Sequence, residues 1–159
     1  MSSEQQIQNL IAQYTHYVDQ ARFDKVGDLF TNGKIISPDN VMEGKEEVVN
    51  QLSKNLQVYE DGTLRTAHLT TNTILDIHEY TNEATSVSYL TILQADAERG
   101  LSLQPIAVGR YHDTFRRVDG QWEFSVRELI ITLAGDLSHH AAPNTIDPQR
   151  IESNKKKGV

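Results

Sequence analysis

The chain has 159 residues and a formal net charge of −7, enough length for one domain with a core and a small-molecule pocket. The acidic balance disfavours nucleic acid and anionic membranes as partners. Cysteine is absent, which excludes disulfides, thiolate metal ligands and a cysteine nucleophile. The polar N-terminus lacks the pattern of a signal peptide and no apolar run reaches membrane-spanning length, so we expect a cytoplasmic protein.

The first part of the chain is predicted to be mainly helical. Ser3 and Glu4 can cap a helix whose apolar residues recur with the 3.6-residue period, namely Ile7, Leu10, Ile11, Tyr14, Val18 and Ala21. A shorter helix is predicted from Asp24 to Phe30, followed by a stop signal at Asn32-Gly33. A third helix is predicted from Lys45 to Tyr59.

Strands are predicted to dominate the rest of the chain. A brief strand, Lys34 to Ser37, precedes the third helix, and four long strands follow it: Arg65 to His78, Ala84 to Ala95, Leu101 to Val118 and Gln121 to Leu133. Asp119-Gly120 is the clearest hairpin signal, because this dipeptide readily adopts positive φ angles. Helices first and closely linked strands afterwards predict an α+β fold with an antiparallel meander.

Four stretches of the sequence resemble the SnoaL-like family, which belongs to the nuclear transport factor 2-like superfamily: 17–24, 64–68, 109–113 and 118–124. The resemblance covers roughly residues 4 to 140. It implies a cone-shaped α+β barrel, in which a strongly bent antiparallel sheet is closed by the N-terminal helices around a pocket. The expected organisation is a single domain over 1–140 and an irregular C-terminal tail over 141–159.

The resemblance also implies a set of catalytic residues. This chain is similar to scytalone dehydratase at Asp19 and His68, and to the bile-acid dehydratases at Tyr14, Asp19, His68 and Arg127, so the resemblance implies these four catalytic residues. The scytalone enzyme has a tyrosine where Val18 stands here, and its second catalytic histidine has no counterpart between Tyr89 and Leu93. Scytalone itself is therefore not the expected substrate.

Each of three candidate residues also has an ordinary structural interpretation. His68 shares strand parity with Thr66 and Thr70, so it either exchanges protons with a substrate or is a histidine held by a backbone carbonyl. Asp19 lies on the flank of the apolar helix face, where it either orients His68 or faces solvent. Tyr14 lies on the apolar stripe, as a core tyrosine or as a donor to a substrate oxygen.

Arg127 shares parity with apolar neighbours on the last strand, which indicates either a structural pair with Asp113 or a contact to an acidic substrate group. The further candidates for substrate binding are Asn72, Tyr89 and Tyr111, the latter two of which could equally be core residues. The histidines show no metal-ligand spacing, and His139-His140 falls in the stretch from Ala134 onward that is predicted to be irregular. Neither a metal nor another cofactor is predicted.

The residues and the resemblance together predict a cofactor-independent lyase or isomerase of the dehydratase type, acting by acid-base chemistry on a small cyclic or polyketide-like carbonyl compound. The alternative is a non-catalytic small-molecule-binding module, or a structural subunit like the beta subunit of ring-hydroxylating dioxygenases. Apolar residues occur at both parities of the second long strand, which predicts a homodimer or homotrimer that covers the outer face of the sheet.

Overall fold

The computed structural model describes residues 1–143 and confirms the predicted α+β fold. Three α-helices precede the long strands: α1 (Ser3–Asp19), α2 (Phe23–Leu29) and α3 (Gly44–Asn55). The strands are β1 (Lys34–Ser37), β2 (Asn40–Glu43), β3 (Thr66–His78), β4 (Glu83–Asp96), β5 (Leu101–Val118) and β6 (Gln121–Ala134). A short 3₁₀-helix, Ala97–Arg99, connects β4 to β5.

The strands form one sheet in the order β2-β1-β6-β5-β4-β3. All neighbouring pairs are antiparallel except β1 and β6, which run parallel. Within the described residues β2 and β3 are edge strands and do not pair with each other. The sheet is therefore not closed into a barrel by strand pairing; the fold agrees with the predicted bent antiparallel sheet with N-terminal helices packed against it.

Helix α1 lies on the inner face of the sheet and shows that the sheet curves. It contacts both β3 and β6, which are separated by two intervening strands. In a flat sheet three strand spacings amount to about 14 Å, more than the width of one helix, so the sheet must bend around α1. The apolar positions of α1 that face the sheet are buried, as its periodicity predicts.

Bulges supply the bend. Register shifts interrupt the pairing of β3 with β4, of β4 with β5 and of β5 with β6. One shift in the last pair lies between Val108 and Gly109. A Cβ atom at Gly109 would stand 2.1 Å from the backbone oxygen of Ile130, so only glycine permits this close approach of the strands.

The chain differs from the sequence prediction at two short elements. Helix α3 ends at Asn55, four residues before the predicted end, because the backbone of Gln57 is hydrogen-bonded to His140 instead of continuing the helix. The sequence analysis also missed β2, since its four residues directly follow the turn that ends β1. Edge strands this short carry too little alternation to be detected.

The segment that follows β6 has no regular structure, but part of it is docked against the domain. Ala141 forms an isolated bridge with Leu56, and the side chain of Leu137 packs against the core. Of the predicted tail, residues 144–159 lie outside the described part of the chain. Within residues 1–143 no helix has the length and apolar character needed to span a membrane.

Candidate functional site

Asp19 and His68 form a hydrogen-bonded pair on the inner face of the sheet. Asp19 is the last residue of α1, and its Oδ1 lies 2.5 Å from Nδ1 of His68. The backbone N–H of His68 donates to Oδ2 at 2.9 Å, and the hydroxyl of Thr66 donates to Oδ1 at 2.7 Å. The His68 side chain is 6% exposed and that of Asp19 is 22% exposed. The carboxylate is therefore fixed by two neighbouring inner-face residues of β3.

The local backbone places Asp19 against β3. The N–H of Leu64 donates to the backbone oxygen of Asp19 at 3.1 Å, which ties the end of α1 to the start of the strand. Thr66 and His68 then point to the same face because strand side chains alternate. The geometry of the pair is thus fixed by the backbone hydrogen bond from Leu64 and by the hydrogen bonds that the Asp19 carboxylate accepts from β3.

Electrostatics make Asp19 an ionised acceptor. Burial alone would raise the pKa of Asp19, but the hydrogen bonds and charge of His68, together with the Thr66 hydroxyl, lower this pKa below its usual value. An ionised carboxylate accepts a hydrogen from Nδ1, which leaves Nε2 of His68 as the nitrogen with a free lone pair. This tautomer is the one that suits a general base.

Tyr14, Tyr111 and Arg127 form a second buried group on the same face. The rings of Tyr14 and Tyr111 meet edge to face with centroids 5.9 Å apart. The Arg127 guanidinium carbon lies 4.3 Å from the Tyr14 ring centroid and 3.8 Å from that of Tyr111. Cation–π contacts of this kind hold the two phenols in place.

Arg127 is also paired with Asp113 on the neighbouring strand. Its Nε and Nη2 donate to the two carboxylate oxygens at 2.9 and 2.8 Å, and both side chains are fully buried. Nη1 is buried and has no hydrogen-bond partner among residues 1–143. The geometry favours the structural pair over a direct contact between Arg127 and a substrate.

Both phenols are protonated donors. Burial raises the pKa of Tyr14; the charge of Arg127 opposes that shift, and the carboxylates of Asp113 and Asp19 add to it. Burial likewise raises the pKa of Tyr111 well above its usual value. The charge of Asp19 acts on both phenols, so the acid-base pair and the tyrosines belong to one buried polar region.

Asn72 and Tyr89 lie on the outer face of the sheet, away from His68 and Tyr14. Tyr89 is 41% exposed and stands opposite Thr71 and Arg110, on the outer face of the sheet. Asn72 is exposed within the bulge of β3, with a φ of 54°. Both line a small outer crevice of 110 Å³. The bulge and the strand parity therefore separate these two predicted binding residues from His68 and Tyr14, whereas Tyr111 joins them.

His140 is a site residue that the sequence does not predict. It falls in the stretch expected to be irregular, yet it is 9% exposed and its ring centroid is 5.9 Å from that of His68. Burial, and after it the charge of His68, lower the pKa of His140 to about 3, while the charge of Asp19 opposes the shift. A His-His dipeptide next to Gly and Ser has no periodicity, so only tertiary contacts reveal its position.

A crevice lies between α1 and β3, and its lining does not include Asp19 or His68. It has a volume of 270 Å³ and is lined by Gln8, Ile11, Ala12, Thr15, Thr70 and Thr73. Thr15 lies about one turn before Asp19, and Thr70 is the next inner-face residue after His68. Over the described range, no three Asp, Glu, His or Cys side chains are grouped as they would be around a metal ion.

The open sheet, the three helices and the buried polar side chains of the inner face define an α+β domain. A sequence profile of the SnoaL-like domain matches residues 1–128. The chain therefore belongs to the SnoaL-like domain family. No curated protein matches the chain.

Solved structures with the same fold are distant in sequence. An NTF2-like protein with a cystatin-like fold from Novosphingobium aromaticivorans is 16% identical, with a TM-score of 0.67 over 86% of this chain and 85% of that chain. A candidate scytalone dehydratase from the same organism is 22% identical, with a TM-score of 0.64 over 91% and 94%. A candidate aromatic ring hydroxylase from N. aromaticivorans is 19% identical, with a TM-score of 0.64 over 84% of this chain and 93% of that chain. At these identities the likeness establishes the fold alone.

Proposed function

We propose that the protein is a cofactor-independent lyase or isomerase that acts on a small cyclic or polyketide-like carbonyl compound. The observation that carries the proposal is the hydrogen bond from Nδ1 of His68 to the ionised Asp19, inside a buried polar face. A neutral imidazole oriented by a carboxylate can remove a proton at pH 7 and return it later. The proposal rests on this site and not on the fold shared with a candidate scytalone dehydratase, because one fold can carry many functions.

In the proposed reaction, Nε2 of His68 removes a proton from the carbon next to the carbonyl. The electron pair of the broken C–H bond moves toward the carbonyl oxygen, and the Tyr14 phenol donates a hydrogen bond to that oxygen. In a dehydration, the β-carbon then releases its hydroxyl group, which takes the proton from His68 and leaves as water. In an isomerisation the proton returns to a different carbon. Asp19 stabilises His68 while the imidazole is charged.

Arg127 has a supporting role in this proposal. Its bidentate pair with Asp113 and its stacking against Tyr14 and Tyr111 fix the phenols at the buried end of the polar face. The crevice between α1 and β3 could hold a molecule of few atoms beside Thr70, the next inner-face residue after His68. Asn72 and Tyr89 are not assigned a role at this inner site, because they lie on the outer face.

The test is a proton-exchange and elimination assay with small cyclic ketones, including cyclohexanone and 3-hydroxycyclohexanone. Exchange of α-protons for deuterium is followed by NMR in D₂O, and formation of the enone by ultraviolet absorbance. We expect His68→Ala to lower both rates by about 100-fold or more, the usual contribution of a positioned base. The matched control is His112→Ala, which removes an exposed histidine from the outer face of β5.

The same assay separates the alternatives. Wild-type protein that binds these ketones without exchanging their α-protons would support a binding module. Protein that neither binds nor exchanges any of them would favour a structural subunit, for which the fold shared with a candidate aromatic ring hydroxylase is the supporting observation.

A further inference from the structure

The segment after β6 is clamped against the end of α3 and the inner face. The N–H of Gln57 donates to the backbone oxygen of His140 at 2.9 Å, and the N–H of His140 donates to that of Leu137 at 3.0 Å. The side chain of Gln94, itself 1% exposed, donates to the backbone oxygen of His139 at 3.0 Å. These contacts hold the His140 ring in one position, next to His68.

The ring of His140 has an unused polar atom. Its Nδ1 is buried and finds no hydrogen-bond partner anywhere in residues 1–143. Burial of an unpaired imidazole nitrogen costs free energy, so an apolar ring would suit a purely structural role better. The centroid separation of 5.9 Å from His68, with the ring planes at 56°, leaves the two imidazoles side by side rather than bonded to each other.

His140 is neutral when His68 works. Burial, and then the charge of His68, lower the pKa of His140. Since His68 gains a positive charge when it takes the substrate proton, a second charge on the adjacent ring is disfavoured. His140 therefore cannot be the acid that protonates a leaving group. A neutral imidazole can still accept one hydrogen bond and donate another.

We propose that His140 is a substrate-contacting residue, whose free Nδ1 binds the leaving hydroxyl group of a β-hydroxy carbonyl substrate and holds it beside His68. This inference rests on the proposed function and narrows its substrate class to β-hydroxy carbonyl compounds. One base serves both proton transfers: His68 receives the α-proton, and the departing hydroxyl takes that proton to leave as water. The hydroxyl must therefore lie on the same side as His68, which is where His140 stands.

Two ketones that differ only in the hydroxyl group test the inference. Cyclohexanone reports α-proton exchange, and 3-hydroxycyclohexanone reports elimination of water. We expect His140→Ala to lower the kcat/KM of elimination about tenfold more than it lowers exchange of cyclohexanone, because cyclohexanone lacks the hydroxyl group whose hydrogen bond is lost. His140→Gln keeps a polar group that can hydrogen-bond and should restore part of the elimination rate.

His139→Ala is the matched control, because only the backbone oxygen of His139 takes part in the clamp contacts described above. It should behave as wild type on both ketones. Equal losses on both ketones in His140→Ala, or no loss on either, would overturn the inference while the proposed function stands. Wild-type protein that exchanges neither ketone would contradict the proposed function and the inference together.

Discussion

Asp19 occupies a position that a carboxylate ordinarily avoids. It is the final residue of α1, where the partial negative charge of the helix end disfavours an anion. Three hydrogen bonds from Thr66 and His68 outweigh that effect and keep the carboxylate ionised. The position of Asp19 is therefore explained by its hydrogen bonds with Thr66 and His68, because the helix dipole alone would disfavour a carboxylate there.

We expect Asp19→Asn to lower the free energy of unfolding by about 1–3 kcal/mol at pH 7, because an amide cannot accept all three hydrogen bonds. The pKa of Asp19 is lower in the folded protein than the unfolded value of about 3.9. Its stabilisation is therefore fully present above that value and is lost as the pH falls through the folded pKa. Urea unfolding at pH 7 and at about pH 3 measures the difference.

The control for this experiment is Asp76→Asn, which alters an exposed Asp-His pair on the same strand and should change stability little at either pH. A difference between Asp19→Asn and wild type that is as large at the lower pH as at neutral pH would contradict the assignment of an ionised Asp19.

Single residues were predictable to different degrees. The placement of Tyr14 on the apolar stripe followed from its period, and it is buried in the core. The position of Asp19 could not follow from a helical wheel, because it depends on where α1 ends and on the bond from Leu64. His140 was not predicted as a site residue, because its local sequence does not indicate that it lies close to His68.

At the scale of elements, β5 and β6 are joined by one buried ion pair and one exposed one. Asp113 and Arg127 are register partners in the middle of the two strands, while Arg116 pairs with Glu123 near the hairpin. Desolvation makes these pairs energetically different. Removal of one partner of the buried pair leaves a charge without compensation, whereas the exposed pair remains hydrated.

We therefore expect Asp113→Asn to lower the free energy of unfolding by about 3–5 kcal/mol. The double variant Arg127→Met with Asp113→Leu should lose less than either single replacement, because it leaves no buried charge. Glu123→Gln, the control in the exposed pair, should cost less than about 1 kcal/mol. Chemical denaturation of these variants, and of Arg127→Met and Asp113→Leu singly, measures the losses; an additive double variant would contradict the account.

The long elements were largely predictable because their patterns are local. The ends of β5 fall where predicted, and Asp119-Gly120 adopts φ angles of 49° and 78°, as its hairpin signal indicates. The bulges that shift the parity of β3 are not local, since they depend on pairing with β4. This is why Asn72, predicted to line the site, lies on the outer face instead.

At the scale of the whole molecule, the outer face of the sheet carries an apolar patch, which we define as Leu69, Ile74, Val87 and Tyr89. The members of the patch are between 36% and 73% exposed. Leu69 and Val87 flank the register pair of Tyr89 with Thr71, so the patch is continuous over β3 and β4. A second copy of the chain is the partner that we propose for it.

We expect the protein to sediment as a dimer or trimer, and Tyr89→Glu to shift it toward the monomer, because a buried charge at the interface is costly. Val41→Lys, which alters an exposed apolar residue of β2 outside the patch, should leave the assembly unchanged. Analytical ultracentrifugation measures both. A monomeric wild type, or an oligomer indifferent to Tyr89→Glu, would contradict this proposal.

The clamp that places His140 also has a consequence for the order of events in biosynthesis. Asp19 emerges from the ribosome early, β3 with His68 follows, and His140 arrives only after every strand has been made. The nascent chain can bury α1 against the sheet before His140 is in place, so the complete site forms only at the final step of folding. A protease cut between β6 and His140 would reverse that last step alone, leaving a folded sheet that has lost its selectivity.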